Sequence, residues 1–116
     1  MNVVVLRGRL TSVSPRRILS SGSELLNLEI TTTTEAGQIS VPVAWFDPPA
    51  GFDPGIGEEL VVRGSVRRRF FRTSGATQSR TEVVASCIVG ARRASDVRKA
   101  LQRARSRLDD ELTPNA

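Results

Sequence analysis

The chain has 116 residues, 39% of them apolar, with four phenylalanines, one tryptophan and no tyrosine, which predicts one domain around a modest core. Cations outnumber acids 17 to 12 for a formal charge of +5, and all the cations but Lys99 are arginine, whose planar fork pairs with phosphates and stacks on bases. The absence of histidine and the single cysteine, Cys87, exclude the usual His/Cys metal clusters, histidine acid–base chemistry and an internal disulfide.

In chain order, Asn2 to Ser14 opens with V-V-V-L-R-G-R-L. Val4, Leu6 and Leu10 share one parity and Val3, Val5, Arg7 and Arg9 the other, because alternate residues of a strand point to opposite faces. Gly8 within this strand predicts a bend of the kind that turns a barrel corner. Ser14-Pro15 and Ser20-Ser21-Gly22-Ser23 bracket a turn region. A second strand is expected over Glu24 to Thr34 with Leu26, Leu28 and Ile30 on its core face. A tight connection at 35–38 leads to a third, Ile39 to Phe46, whose apolar parity holds Val41, Val43 and Trp45. Phe46 then faces solvent or ligand, and Pro42, unable to donate a ladder bond, predicts incomplete pairing. The segment 47–57, D-P-P-A-G-F-D-P-G-I-G, carries three prolines and three glycines and forms no helix. Phe52 and Ile56 are expected to anchor it.

The most informative stretch follows. A fourth strand starting at Glu59 places Leu60, Val62, Val66 and Phe70 on one face, expected to be core. Arg63, Ser65, Arg67, Arg69 and Phe71 fall on the other. Six arginines (Arg63, Arg67, Arg68, Arg69, Arg72 and Arg80) follow, with no acid between Arg63 and Glu82. Cations and an aromatic ring sharing a strand face suit a polyanion that carries flat bases. Thr73 to Thr77 makes the turn, and a fifth strand runs from about Ser79 to Val89. From residue 91 the pattern becomes helical: Ser95 as N-cap, a stripe of Val97, Ala100, Leu101, Ala104, Leu108 and Leu112, basic residues on the other faces, and an end at Thr113-Pro114. The expected architecture is therefore mainly β, a five-stranded OB-fold barrel over residues 1–90, with a basic amphipathic helix and short tail over 91–116.

Several pieces resemble bacterial single-stranded DNA-binding proteins: Asn2 and the aliphatic run into Gly8-Arg9-Leu10, Ser21-Gly22 before L-N-L-E-I-T, Val43-Ala44-Trp45-Phe46, and G-E-E-L-V-V-R-G-S-V-R-R-R followed by R-T-E-V-V. The resemblance covers residues 1–89. It implies an OB fold, dimeric or tetrameric assembly and sequence-tolerant binding of single-stranded DNA by stacking. Phe71 falls where that family has a stacking tryptophan, Phe46 where it has a base-contacting phenylalanine, and Ser40 where it has a second stacking tryptophan. The chain departs from it in a shortened hairpin between strands two and three, in the Pro/Gly loop that replaces a helix, and in lacking the acidic, Phe-ending tail tip. A divergent short paralogue fits these departures.

The expectation for function is binding of single-stranded DNA through Arg7, Arg9, Phe46, Arg63, Arg67, Arg69, Phe71, Arg72 and Arg80, with no catalysis, cofactor or metal. RNA stays open, because stacking and phosphate contacts ignore the 2′-hydroxyl. The alternative is a protein-interaction module built on the same barrel. With no leader, no membrane-spanning run and one cysteine, a cytoplasmic homodimer or homotetramer is expected.

Overall fold

The computed structural model describes residues 1–112. Its strands are β1 (Val4–Val13), β2 (Arg17–Ile18), β3 (Glu24–Thr34), β4 (Gly37–Phe46), β5 (Glu59–Thr73) and β6 (Ala76–Gly90), followed by helix α1 (Ala94–Leu112). Five of them close on themselves in the order β1-β5-β6-β4-β3-β1, and the two-residue β2 extends the edge of β3. All neighbours are antiparallel except β4 and β6, which run parallel. This is a five-stranded OB-type barrel with one C-terminal helix. The short β2 was not anticipated; it lies in the Ser/Pro/Gly-flanked turn region, too brief to show periodicity.

Alternation fills the barrel. Leu10, Leu26, Leu28, Ile30, Val43, Trp45, Leu60, Val62, Val83, Ala85 and Ile88 form the buried core. Closure depends on two glycines. A Cβ on Gly8 would strike the Thr31 carbonyl and lie 2.8 Å from Ile30 Cγ2, and one on Gly64 would strike the Val84 carbonyl. Both sites are therefore close backbone approaches, the reason a strand tolerates glycine at all. Next to Gly64 the β5–β6 register shifts, so that Arg63 faces Cys87 while Gly64 faces Ala85. Ser86 is thus the extra residue of a bulge, which bends the strand. Pro42 faces Glu29 on β3, while β4 meets β6 only at Val43 and Ala44, the incomplete pairing that proline requires.

The β5–β6 hairpin is longer than expected, fifteen residues in each strand, closed by Ser74 and Gly75, both at positive φ, the geometry of a type I′ turn. Its outer half has no barrel beneath it. Two expectations fail there for that reason: Phe70 is 66% exposed and Val66 41% exposed, because core parity buries a side chain only where another layer faces it. The Asn2 side chain marks where β1 pairing stops. Its amide donates to the Val66 carbonyl (2.6 Å) and accepts from the Val66 N–H (2.8 Å), replacing a strand neighbour with a side chain. The radius of gyration, 15.5 Å, exceeds the roughly 13 Å expected for a compact chain of this length, in keeping with a projecting arm.

The Pro/Gly segment contains no helix. Phe52 anchors it, meeting Trp45 edge-on at 4.8 Å between centroids, but Ile56 is 66% exposed and anchors nothing. Arg16 supplies the second fixing point: its guanidinium donates to the carbonyls of Pro48 (3.4 Å), Pro49 (3.0 Å) and Phe52 (3.1 Å) and to Glu24 (3.1 Å). Helix α1 lies on β5, β6 and β1. Ala100 and Ala104 are its buried residues, Val97 and Leu108 are half-buried, and Leu101 and Leu112 are exposed, so only the small-residue part of the predicted stripe is covered. The helix begins at Ala94, which places Ser95 inside the first turn rather than at the N-cap. The expected stop at Thr113-Pro114 lies outside the described residues.

Candidate nucleic-acid interface

On the outer side of the barrel, β4 carries Ser40, Pro42, the buried Ala44 and Phe46, while the outer face of the hairpin pairs Arg67 with Glu82, Arg69 with Arg80 and Phe71 with Gln78. The guanidinium of Arg67 lies over the Phe46 ring, 5.2 Å from its centroid, and that of Arg69 lies over Phe71 at 5.4 Å. Both distances are within the range of cation–π attraction. Beneath the two arginines sits Glu82, 4% exposed, accepting from Arg67 Nη2 at 3.4 Å and from Arg69 Nε at 3.1 Å. Phe46, Arg67, Glu82, Arg69 and Phe71 thus form one continuous row, with Arg80 across from Arg69.

The run of arginines is free of acid along the sequence but not in space. Glu82 follows the arginines in sequence, but the hairpin folds it back directly opposite Arg67. Of the two charges nearest the rings, one is neutralised. Loss of Glu82 would leave both guanidiniums without their counter-ion, whereas loss of one arginine leaves the carboxylate paired with the other.

The remaining predicted residues separate. Arg80 belongs to the row. Arg72 faces Thr77 and shares its face with Arg68 and Phe70, the reverse of the arm; there Arg68 donates to Ser79 Oγ (3.1 and 3.2 Å) and lies over Phe70 at 5.7 Å. Arg63 is drawn beneath α1, in a hollow lined by Cys87, Val89, Asp96, Lys99, Ala100 and Arg103, and its Nε is buried without a hydrogen-bond partner. Parity put Arg63 on the right face; the helix that covers it is invisible to parity. Cys87 is half-buried in the same hollow.

Arg7 and Arg9 stand on β1, opposite Val61 and Glu59 of β5. Arg7 Nη2 donates to Glu59 at 2.9 Å. That hydrogen bond first, and the charge pairing second, hold the Glu59 carboxyl below its ordinary value and raise Arg7 above its own. Arg9 lines a hollow with Gly57, Glu58, Glu59, Gly90, Ala91, Arg92 and Arg93, at the end of the barrel away from the hairpin tip. At the Ser40 position there is no ring; its hydroxyl joins Thr31 (3.0 Å), which joins Thr11 (3.0 Å).

Sequence reasoning missed Glu82 and Arg16 as organising residues. The signal for Glu82 was available in principle, as the hairpin turn centred on Ser74-Gly75 fixes which residue lies opposite Arg67. No family model matches the chain, and no curated protein matches it. No helix among the described residues is long and apolar enough to cross a membrane.

Proposed function

We propose that this protein binds single-stranded nucleic acid, DNA in preference to RNA and without strong sequence preference, and that it serves replication, repair or recombination by binding rather than by catalysis. The observation that carries the reading is the row formed by Phe46, Arg67, Arg69 and Phe71 with Arg80 beside it. It flanks the strand face and the hairpin on which OB barrels take up oligonucleotides. Aromatic rings give each base a π-face to stack on, and cations nearby track the backbone with release of counterions. The similarity of residues 1–89 to bacterial single-stranded DNA-binding proteins supports the same reading. So does the abundance of arginine over lysine.

A cytoplasmic homodimer or homotetramer completes the proposal. Exposed apolar positions at Val5 on β1 and at Val66 and Phe70 on the reverse of the arm offer surfaces for a second copy. The same three residues favour the second reading, an OB-derived protein-interaction module, together with the hydroxyl network that stands at Ser40 in place of a ring.

Fluorescence anisotropy of a labelled poly-dT oligonucleotide separates the two, titrated at low and moderate salt with duplex DNA and poly-U as competitors. Salt-sensitive binding that duplex competes poorly, lost in Phe71→Ala without change of assembly, supports strand binding. No binding at low salt rejects it in favour of protein contacts.

A further inference from the structure

Arg67 is held in place by unusually few polar contacts. Its Nε is buried with no hydrogen-bond partner, and its one hydrogen bond, from Nη2, reaches Glu82 at 3.4 Å. The other contact is the ring of Phe46. Arg69 is fixed in a parallel way, by Glu82 at 3.1 Å and by the ring of Phe71. Although their side chains remain 41% and 46% exposed, Arg67 and Arg69 share a single buried carboxylate, and each covers one side of a ring. Glu82 itself is only 4% exposed, so its carboxylate does not reach a base edge. Its position on β6 is set by the ladder that places it across from Arg67.

We propose that Glu82 is the positioning residue of the strand-binding surface. By anchoring Arg67 and Arg69 against Phe46 and Phe71, it converts two phosphate-seeking cations into guanidinium–ring platforms for unpaired bases. The phosphates are left to the cations outside the anchor, Arg80 first. The physical basis is that a guanidinium plane stacks on a base as an aromatic ring does, while a guanidinium already paired with a carboxylate has less to gain from a phosphate. This rests on the single-strand reading above. It goes further in assigning the base-dependent part of affinity to a buried acid on a surface that binds a polyanion.

The consequence has an unexpected sign. Glu82→Gln makes the protein more positive, so a purely electrostatic surface would bind every strand more tightly. With Glu82 as the anchor, affinity for a dT oligonucleotide falls about fivefold, the lower end of the loss of one stacking contact. Affinity for an abasic oligonucleotide of equal length, which offers only sugar and phosphate, stays level or rises. Folding of the variant is checked by circular dichroism and thermal melting. A selective loss on dT supports the assignment; a parallel rise, a parallel fall or no change on the two oligonucleotides overturns it. If Glu82→Gln does not fold, Arg67→Lys and Arg69→Lys decide the matter, since they keep the charge and the acid but lose the planar fork. The same dT-selective loss with an unchanged salt slope supports the assignment, and equal behaviour on dT and abasic strands overturns it. Failure of the wild-type protein to bind dT removes the underlying reading as well, whereas wild-type binding with an unaltered variant removes this inference alone.

Discussion

Phe71 and Phe46 do not stand alone as bare rings; each carries a guanidinium over one side. Replacing Phe71 with alanine removes a platform and also frees Arg69 from its ring, so affinity for dT should drop by about 1–3 kcal/mol, measured by anisotropy at fixed salt. The same change at Phe70 should leave strand affinity within about twofold, because that ring projects from the reverse face of the arm, where stacking with the Phe46–Phe71 row is geometrically excluded. Because Phe70 is also offered as a contact for a second copy, Phe70→Ala serves as the internal control at equal assembly state, read by size-exclusion chromatography. A further residue-scale effect concerns pH. Glu59 is held below its ordinary value by Arg7, so the folded state binds fewer protons there than the unfolded chain. The stabilisation this gives is present above the unfolded carboxylate value and disappears as pH falls through the lowered folded one. Denaturant melts of the wild type and Glu59→Gln should converge towards acid and separate, modestly for so exposed a pair, near neutrality. A gap that widens on acidification contradicts this.

Elements are shaped by what lies behind them. The β5–β6 hairpin reads as a uniform amphipathic strand in sequence, yet only its inner half covers a core. Gly64 sits at the junction of the two halves, and its substitution by alanine drives a methyl into the Val84 carbonyl. Overpacking of this kind costs typically about 1–3 kcal/mol, so Gly64→Ala should lower the urea midpoint without altering the fold's secondary structure. Gly75, at positive φ with open space around it, is constrained by backbone conformation instead. Helix α1 shows the same dependence on context: four well-spaced leucine and valine positions predict a broad apolar face, but the sheet accepts the two alanines most closely. Ala104→Glu should loosen the helix from the barrel, read as faster amide exchange along α1 while the β-strand amides stay protected. Acids in the last helical turn look unfavourable beside the helix dipole; Glu111 has found partners in Arg107 (3.4 Å) and the Met1 amino group (3.6 Å).

Across the whole molecule, positive charge is spread over several surfaces, and only part of it lies along the candidate strand path. Arg80 lies beside the rings, Arg63 is under the helix, Arg7 is paired with Glu59, and Arg9 opens onto the far end of the barrel. Counting arginines therefore overstates the number of phosphate contacts. Each contact contributes about −0.7 to the log–log salt slope on a single strand. Arg80→Ala should flatten the slope by about that amount, whereas Arg63→Ala should leave it unchanged while reducing stability or shifting the helix. Equal effects from the two variants would mean the binding path runs under α1 and not across Phe46 and Phe71.

The barrel and the separation of its faces are legible along the chain. Period-two alternation in five segments, glycines at strand interiors and turn residues between them suffice, because inside-or-outside is a local property of a strand once a core exists. Trp45, Leu28, Ile30 and Leu60 were legible for that reason, and so was the pairing of cations with Phe71 on one face. Which of those cations are free depends on contacts made in space. Glu82 reaches Arg67 and Arg69 across a hairpin, α1 covers Arg63 from the far end of the chain, and Phe70 is exposed because the arm outruns the barrel. Each of these depends on what lies opposite a residue in space, and alternation along one strand carries no information about the layer that faces it.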